Sequence, residues 1–300
     1  MPTLPILDAA ATAPAKVNLA LHVVGQRADG YHLLESLVTF VAAAADRVSV
    51  TAGGGTDTLV VAGPYAAAVP GGADNILLQA AAFARARMAV LGEILPPVAI
   101  RLDKNLPVAS GVGGGSADAA ALLRIISDAW PAARGVIAAE AVALGADVPM
   151  CLAGRPALVF GVGEQVEPLA DLPDLPLLLV NPGVPVSTPA VFRNLTSRSN
   201  PKLPALPPEG FRHAAAVADW LETTRNDLAA PAIAIAPAIE EVTAELRDRG
   251  ALFARMSGSG ATVFGLFADH ASLQRARLAL MAAHPRWWVS DPADTELTAA

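Results

Sequence analysis

The sequence predicts a two-domain α/β protein. Three observations carry that prediction. The chain has 300 residues, 53 % of them apolar and only 16 % charged. Strand-like and helix-like patterns alternate along it. A proline-bracketed break, DLPDLP at 171–176, is followed by a fresh apolar run, LLLV at 177–180. That length supports one large core or two ordinary ones, and the apolar share excludes a mostly disordered chain.

The elements follow in order. In AKVNLALHVV at 15–24, Val17, Leu19, Leu21 and Val23 alternate with Lys16, Asn18, Ala20 and His22. That is the pattern of a half-buried strand, with Lys16 and Asn18 neighbours on its polar face. RADG is a turn and YHLLESLVTFV a second strand. Residues 46–61 read as a strand pair around GGGT. Asp74 or Asn75 can cap a helix through ILLQAAAFARARMAV. PPVAIRLDKNLP is a strand and a loop. Leu122, Ile125, Ile126 and Ala129 share a helical face that Pro131 ends. Residues 136–144 form a shorter helix stopped by Gly145, and ALVFGVG is a strand. Residues 197–210 are an exposed proline-rich loop. Pro237 opens a helix with Glu240 and Glu241 in its first turn, and Arg247 and Arg249 lie at its end, in accord with the helix dipole. SGSGA at 257–261 is a glycine turn feeding the strand TVFGLF, and the last ten residues read as frayed.

Charge and composition narrow the function classes. The formal net charge is −7, whereas broad nucleic-acid binding needs a basic footprint. No run reaches the roughly 18 apolar residues of a membrane span. The first residues lack a basic region and Asp8 breaks their apolar patch, so no secretory signal is expected. The single cysteine, Cys151, reads as a buried small hydrophobe and fits a reducing cytoplasm. His22, His213, His270 and His284 have no metal-ligand spacing, and no metal-binding residues are assigned. Arginines number 18 and lysines only three: Lys16, Lys104 and Lys202. Where arginine serves as the generic cation, a retained lysine marks a place where the two are not interchangeable.

LPVASGVGGGSADAAALL at 106–123 sets four glycines and a serine directly before a helix former. A helix start has unpaired N–H groups and a positive dipole end, and glycines let a phosphate approach them closely. The run therefore reads as a polyphosphate cradle, in which Ser116 caps the helix or reaches a phosphate or metal oxygen. The Walker pattern is excluded, because no lysine precedes Ser116. The dinucleotide pattern is excluded as well, because Ser116 replaces its third glycine and the run follows a loop.

The same run resembles the central phosphate-binding motif of the GHMP kinases, the superfamily of galactose, homoserine, mevalonate and phosphomevalonate kinases. PAKVNLALHVVGQRADGYH and MSGSGATVFGLF agree with that family in order and spacing. RADGYH and LGADVP at 144–149 are similar to a narrower branch, whose acceptor is a cytidine diphosphate-linked methylerythritol of the non-mevalonate isoprenoid route. The likeness extends from about residue 13 to about residue 268. It implies an N-terminal domain like ribosomal protein S5 domain 2 over residues 1–172, a ferredoxin-like α+β domain over 173–300, and ATP and acceptor meeting in the cleft between them.

The resemblance also implies roles. ATP, accompanied by Mg²⁺, is the phosphoryl donor. Asp147 matches the catalytic aspartate and Lys16 the catalytic lysine, whose ammonium favours a developing alkoxide. Asn18 bonds the erythritol hydroxyls. Tyr31 and His32 stack on cytosine and bond its edge; Phe192 is a second stacking wall, with Thr188 a polar contact nearby. Asn75 and Lys104 lie on the adenosine side. The phosphate loop comprises Pro107, Val108, Ala109, Ser110, Gly111, Val112, Gly113, Gly114, Gly115 and Ser116. Ser257, Gly258 and Gly260 close over the donor phosphates or the acceptor. On residue type alone Asp147 is a loop cap, Lys16 a strand-edge charge, Asn75 a helix cap and Lys104 a surface charge. Two other readings stay open here: another GHMP enzyme with no cytosine pocket, and a catalytically silent nucleotide-binding module. A monomer or a homodimer is expected.

Overall fold

The computed structural model describes residues 7–169 and 172–291. The readings of the first six residues and of the last nine, and Asp171 of the DLPDLP break, lie outside the described residues. In chain order the strands are β1 (Asp8–Gln26), β2 (His32–Ala52), β3 (Thr58–Ala62), β4 (Val98–Asp103), β5 (Ala157–Gly161), β6 (Gln165–Pro168), β7 (Leu177–Asn181), β8 (Phe253–Met256), β9 (Val263–Leu266) and β10 (Trp288–Val289). The helices are α1 (Ile76–Val90), α2 (Gly114–Ala129), α3 (Arg134–Glu140), α4 (Val148–Ala153), α5 (Thr188–Arg193), α6 (Ala214–Glu222), α7 (Ala229–Ile235), α8 (Ala238–Asp248) and α9 (His270–Ala283).

The chain forms two compact units that are interleaved in sequence. One holds the chain up to Ala15, Ala45–Val108 and Gly113–Gly154; the other holds Lys16–Ala44, Ala109–Val112 and the chain from Arg155 on.

In the first unit β4 lies between two strands, antiparallel to the end of β2 (Arg47↔Asp103 to Ala52↔Val98) and parallel to β3 (Thr58↔Ala99 to Ala62↔Asp103). The stretches flanking GGGT are therefore both strands, as expected, but they are not paired with each other. The loop between them is tied to the start of β4 instead. Gly53 N–H donates to Pro97 O at 2.8 Å. The Asp57 carboxylate accepts both Arg85 guanidinium nitrogens at 2.7 and 2.9 Å and Val98 N–H at 2.9 Å. Helix α1 is capped by Asn75, whose Oδ1 accepts Leu77 N–H. It packs on α2, which in turn packs on α4. Leu122, Ile125 and Ile126 of α2 are buried, as their spacing predicts. The helix expected at 136–144 is α3 followed by a 3₁₀ turn at Ala141–Leu144, and Gly145 ends it with φ +155°.

In the second unit the start of β2 pairs with β5 (Leu34↔Gly161 to Val38↔Ala157), and β5 with β6. A separate antiparallel sheet has the order β10-β7-β9-β8. Leu178, Val180 and Val263 of that sheet share one core with Ile239, Val242 and Leu246 of α8 and Leu273 and Leu280 of α9. Helix α8 begins after Pro237 with Glu240 and Glu241 in its first turn and Arg247 in its last.

One expectation changes here. The polar face of the 15–24 strand is as buried as the apolar face: Lys16 and Asn18 are each 4 % exposed and His22 is 0 % exposed. Burial is tolerated because these groups have partners. His22 Nε2 accepts Arg225 N–H, so the neutral ring carries its proton on Nδ1, facing Pro201 O. The 197–210 loop has no regular structure, yet Asn200 N–H donates to Val23 O and Leu203 N–H to the Glu35 carboxylate. No helix among the described residues is long and apolar enough to cross a membrane.

Candidate active site

In the second unit, β1 presents Lys16 and Asn18 as a linked pair. Lys16 Nζ donates to Asn18 Oδ1 at 2.8 Å, Asn18 Nδ2 to Ser36 Oγ at 2.8 Å, and Ser36 Oγ to Ala20 O at 2.6 Å. Each donor has its acceptor, so the ammonium is held in a fixed rotamer. Ser36 comes from β2 and had no signal in the sequence.

The glycine turn closes against the same strand. Asn18 N–H donates to Ser257 Oγ at 3.0 Å, and that hydroxyl donates to Gly111 O at 3.1 Å. Lys16 N–H donates to Val112 O and Thr262 N–H to Ser110 O. Gly111 has φ +80°, and a Cβ there would lie 2.5 Å from Ser257 O and 2.8 Å from Gly260 N. Only glycine permits that approach. Gly258 and Gly260 also have positive φ, and Ala109 adopts φ 52° without being glycine. Thr188 Oγ1 lies 2.6 Å from Ser259 Oγ, so the polar contact predicted beside Phe192 is joined to this turn.

The aromatic residues also belong to this unit. The His32 and Phe192 rings stack with centroids 4.7 Å apart and planes at 27°. His32 Nε2 is buried with no hydrogen-bond partner among the described residues. Burial, and secondarily the Arg198 cation, lower the pKa of the imidazole. Tyr31 beside it is 63 % exposed.

In the first unit, α2 starts at Gly114 with Gly113 as its N-cap in the left-handed region and no side-chain cap. Ser116 is the third helical residue, so it does not cap. Pro107 and Val108 lead into the run, and Gly113, Gly114, Gly115 and Ser116 form the helix start. The Asp147 peptide immediately precedes α4, and its carboxylate makes no cap bond to that helix.

Lys104 departs from its surface-charge reading. Its ammonium is buried and bridges Asp46 Oδ2 at 2.6 Å and Asp118 Oδ2 at 2.7 Å. Asp46 Oδ1 further accepts the N–H groups of Asn105 and Leu106 at 2.6 and 2.8 Å, whereas Asp118 Oδ1 is buried with no partner among the described residues. Asp46 is thus the better-stabilised carboxylate. The Asp118 carboxyl is pushed up to about 8 by burial, with Lys104 opposing and Asp46 reinforcing the shift. The cluster clamps the first turns of α2 to the ends of β4 and β2. Asp118 had a sequence signal, an acid within the alanine-leucine stretch one turn before Leu122; Asp46 had none. Asn75 takes its cap reading: its Nδ2 donates to Pro70 O while its Oδ1 caps α1.

Among the described residues no group of three or more His, Cys, Asp or Glu could hold a metal ion. The first unit offers a helix start and a half-buried carboxylate; the second offers two glycine-lined turns and a buried ammonium.

Comparison with known proteins agrees with this chemistry. The model of the GHMP kinases N terminal domain matches residues 75–155, and that of the GHMP kinases C terminal matches residues 211–286. A 4-diphosphocytidyl-2-C-methyl-D-erythritol kinase of Sinorhizobium medicae is 51 % identical over 286 residues, covering 92 % of each chain. One of Dinoroseobacter shibae is 51 % identical over 279 residues, covering 93 % of this chain and 92 % of its own. A crystal structure of a 4-(cytidine 5'-diphospho)-2C-methyl-D-erythritol kinase superposes with a TM-score of 0.74 at 35 % identity, over 94 % of this chain and 98 % of the other. The chain belongs to the GHMP kinase family, in the branch formed by the 4-diphosphocytidyl-2-C-methyl-D-erythritol kinases.

Proposed function

We propose that this kinase transfers the γ-phosphoryl group of ATP to the 2-hydroxyl of 4-diphosphocytidyl-2-C-methyl-D-erythritol. The observation that carries the acceptor choice is the His32–Phe192 ring pair. It offers a flat apolar face for a nucleobase, beside an imidazole nitrogen with no hydrogen-bond partner among the described residues. Stacking on such a face contributes about 1–3 kcal/mol per base.

In the reaction the acceptor hydroxyl attacks the γ-phosphorus in line. The bond from that phosphorus to the β–γ bridging oxygen breaks, ADP leaves, and the hydroxyl proton passes to the Asp147 carboxylate. Such a base typically contributes about 10²–10⁴-fold. The Lys16 ammonium, held by Asn18, stabilises negative charge as the alkoxide develops. The α2 start and the glycine run take the phosphates through backbone N–H groups. Phosphoryl transfer asks chiefly for positioning and charge neutralisation. Mg²⁺ suits a site with no dedicated carboxylate cage, because it is bound largely through substrate phosphates; it would supply charge neutralisation there. The lone cysteine suits a reducing cytoplasm, where we place the enzyme.

The test is ATP consumption by the wild type with the cytidyl acceptor, with cytidine-free alcohols and with no acceptor. Turnover dependent on the cytidyl acceptor, abolished in Lys16→Ala, is expected. Preference for a cytidine-free alcohol, or ATP binding without turnover, would overturn the reading.

A further inference from the structure

We infer that Asn226 is a positioning residue for phosphoryl transfer: it holds the 256–258 backbone so that the Ser259 N–H is presented to a phosphate oxygen of the nucleotide. Asn226 lies between α6 and α7 and is 7 % exposed. Its Nδ2 donates to Met256 O at 2.8 Å and to Gly258 O at 2.9 Å, the carbonyls on either side of Ser257. Its Oδ1 accepts Leu228 N–H at 3.0 Å. Two carbonyl acceptors on one side and an N–H on the other fix the amide orientation, two of the bonds reaching the turn and the third anchoring the amide to its own segment.

The backbone of Asn226 is equally constrained. It forms a parallel bridge with Leu21 of β1. Leu21 N–H donates to Arg225 O and Asp227 N–H to Leu21 O, both at 2.9 Å. The Asp227 carboxylate accepts Val23 N–H at 2.7 Å. The Asn226 side chain thus reaches the glycine turn from a segment anchored to the strand that carries Lys16 and Asn18.

The geometry of the turn supplies the rest. In a trans peptide the N–H points opposite to the preceding carbonyl. Pinning Gly258 O to Asn226 therefore aims the Ser259 N–H away from Asn226. Neither that N–H nor the Gly258 N–H has a protein acceptor among the described residues, although both residues are buried. Gly258 has φ +55°, and successive N–H groups around such a residue make an anion-binding concavity. The turn lies directly on Gly111 of the glycine run.

The inference rests on the phosphoryl-transfer reading, but its test contains no acceptor, so a wrong acceptor choice would leave the result unchanged. Calorimetry compares a non-hydrolysable ATP analogue with adenosine, for the wild type, Asn226→Ala and Asn226→Ser. The serine variant keeps a hydroxyl for Leu228 N–H and loses both amide donors. We expect the analogue to bind at least about tenfold more weakly to the variants, as for a lost charge-assisted hydrogen bond, with adenosine affinity unchanged. Affinities that fall together, or that both stay at wild-type values, would show a structural role only and overturn the inference. Wild-type amide exchange gives a readout with no substitution. Ser259 N–H should become protected on binding the analogue and not on binding adenosine, and exchange unaffected by the analogue would equally overturn it.

Discussion

Replacing Lys104 by methionine tests the buried ion cluster most directly. The substitution keeps the chain length and removes the charge. It leaves the carboxylates of Asp46 and Asp118, at 0 % and 3 % side-chain exposure, facing each other across the lost ammonium. Removing one member of a buried ion pair costs about 3–5 kcal/mol. The cost depends on pH, because Asp118 already titrates near 8 and can take up a proton to relieve the repulsion. Lys104→Met is therefore expected to lose about 3 kcal/mol at pH 6 and to move toward about 5 kcal/mol at pH 9, where wild-type Asp118 ionises beside the ammonium and the variant's Asp118, whose pKa the lost cation no longer lowers, resists ionisation. Urea denaturation at the two pH values, with the m-value unchanged, measures this. A loss below about 1 kcal/mol, or one equal at both pH values, would refute the reasoning. Lys104→Arg adds a test of space. A Cβ on Gly114 would lie only 3.1 Å from Lys104 Nζ, so a guanidinium has no room and should also destabilise.

Other outcomes follow from the same geometry. Asp147→Asn should lower turnover at least about 10²-fold while ATP affinity, read by calorimetry, is kept. The raised Asp118 group contributes stability that is full below its unfolded value near 3.8 and is lost as pH rises through about 8; Asp118→Asn should flatten that slope in denaturation profiles. The His22 pKa is lowered by burial first and by Arg225 second, so its contribution is present above about 6.5 and lost as pH falls through the lower folded value. Its replacement by an isosteric glutamine should reduce acid sensitivity in the same profiles. Gly111→Ala should abolish activity and cost more than about 1–3 kcal/mol, since backbone atoms lie within 2.5 and 2.8 Å of the new methyl. Ala109→Gly, at φ 52°, should stay within about 0.5 kcal/mol of wild type in the same denaturation assay.

Periodicity and local punctuation made much of the fold legible. The β1 strand itself, the Asn75 cap, the α2 face ended by Pro131 and the α8 charge pattern all appear in the structure, because each is decided within a few residues, whereas the half-burial read from the β1 alternation does not. The family was legible from three ordered motifs. What escaped were long-range partners. The GGGT strands look like a hairpin until β4, some forty residues on, enters between them. Lys16 looks like an edge charge until Asn18 and Ser36 shelter it. Lys104 looks exposed until Asp46, 58 residues earlier, reaches it. Asn226 follows a helix end and resembles an ordinary stop, since nothing nearby reveals that its amide reaches residues 256 and 258. The count of lysines was the better guide: Lys16 and Lys104 are both buried, and Lys202, with a side chain 83 % exposed, is the one on the surface.

The bond from Ser257 to Gly111 spans 146 residues, and Thr262 reaches back to Ser110 in the same way. During translation the glycine run therefore leaves the ribosome long before the segment that braces it exists. Ser110 and Gly111 gain these two braces only after residue 262 has been made, whereas Val112 can already be held by Lys16 N–H. A nascent chain cut short before that point would carry every glycine of the run and lack both bonds.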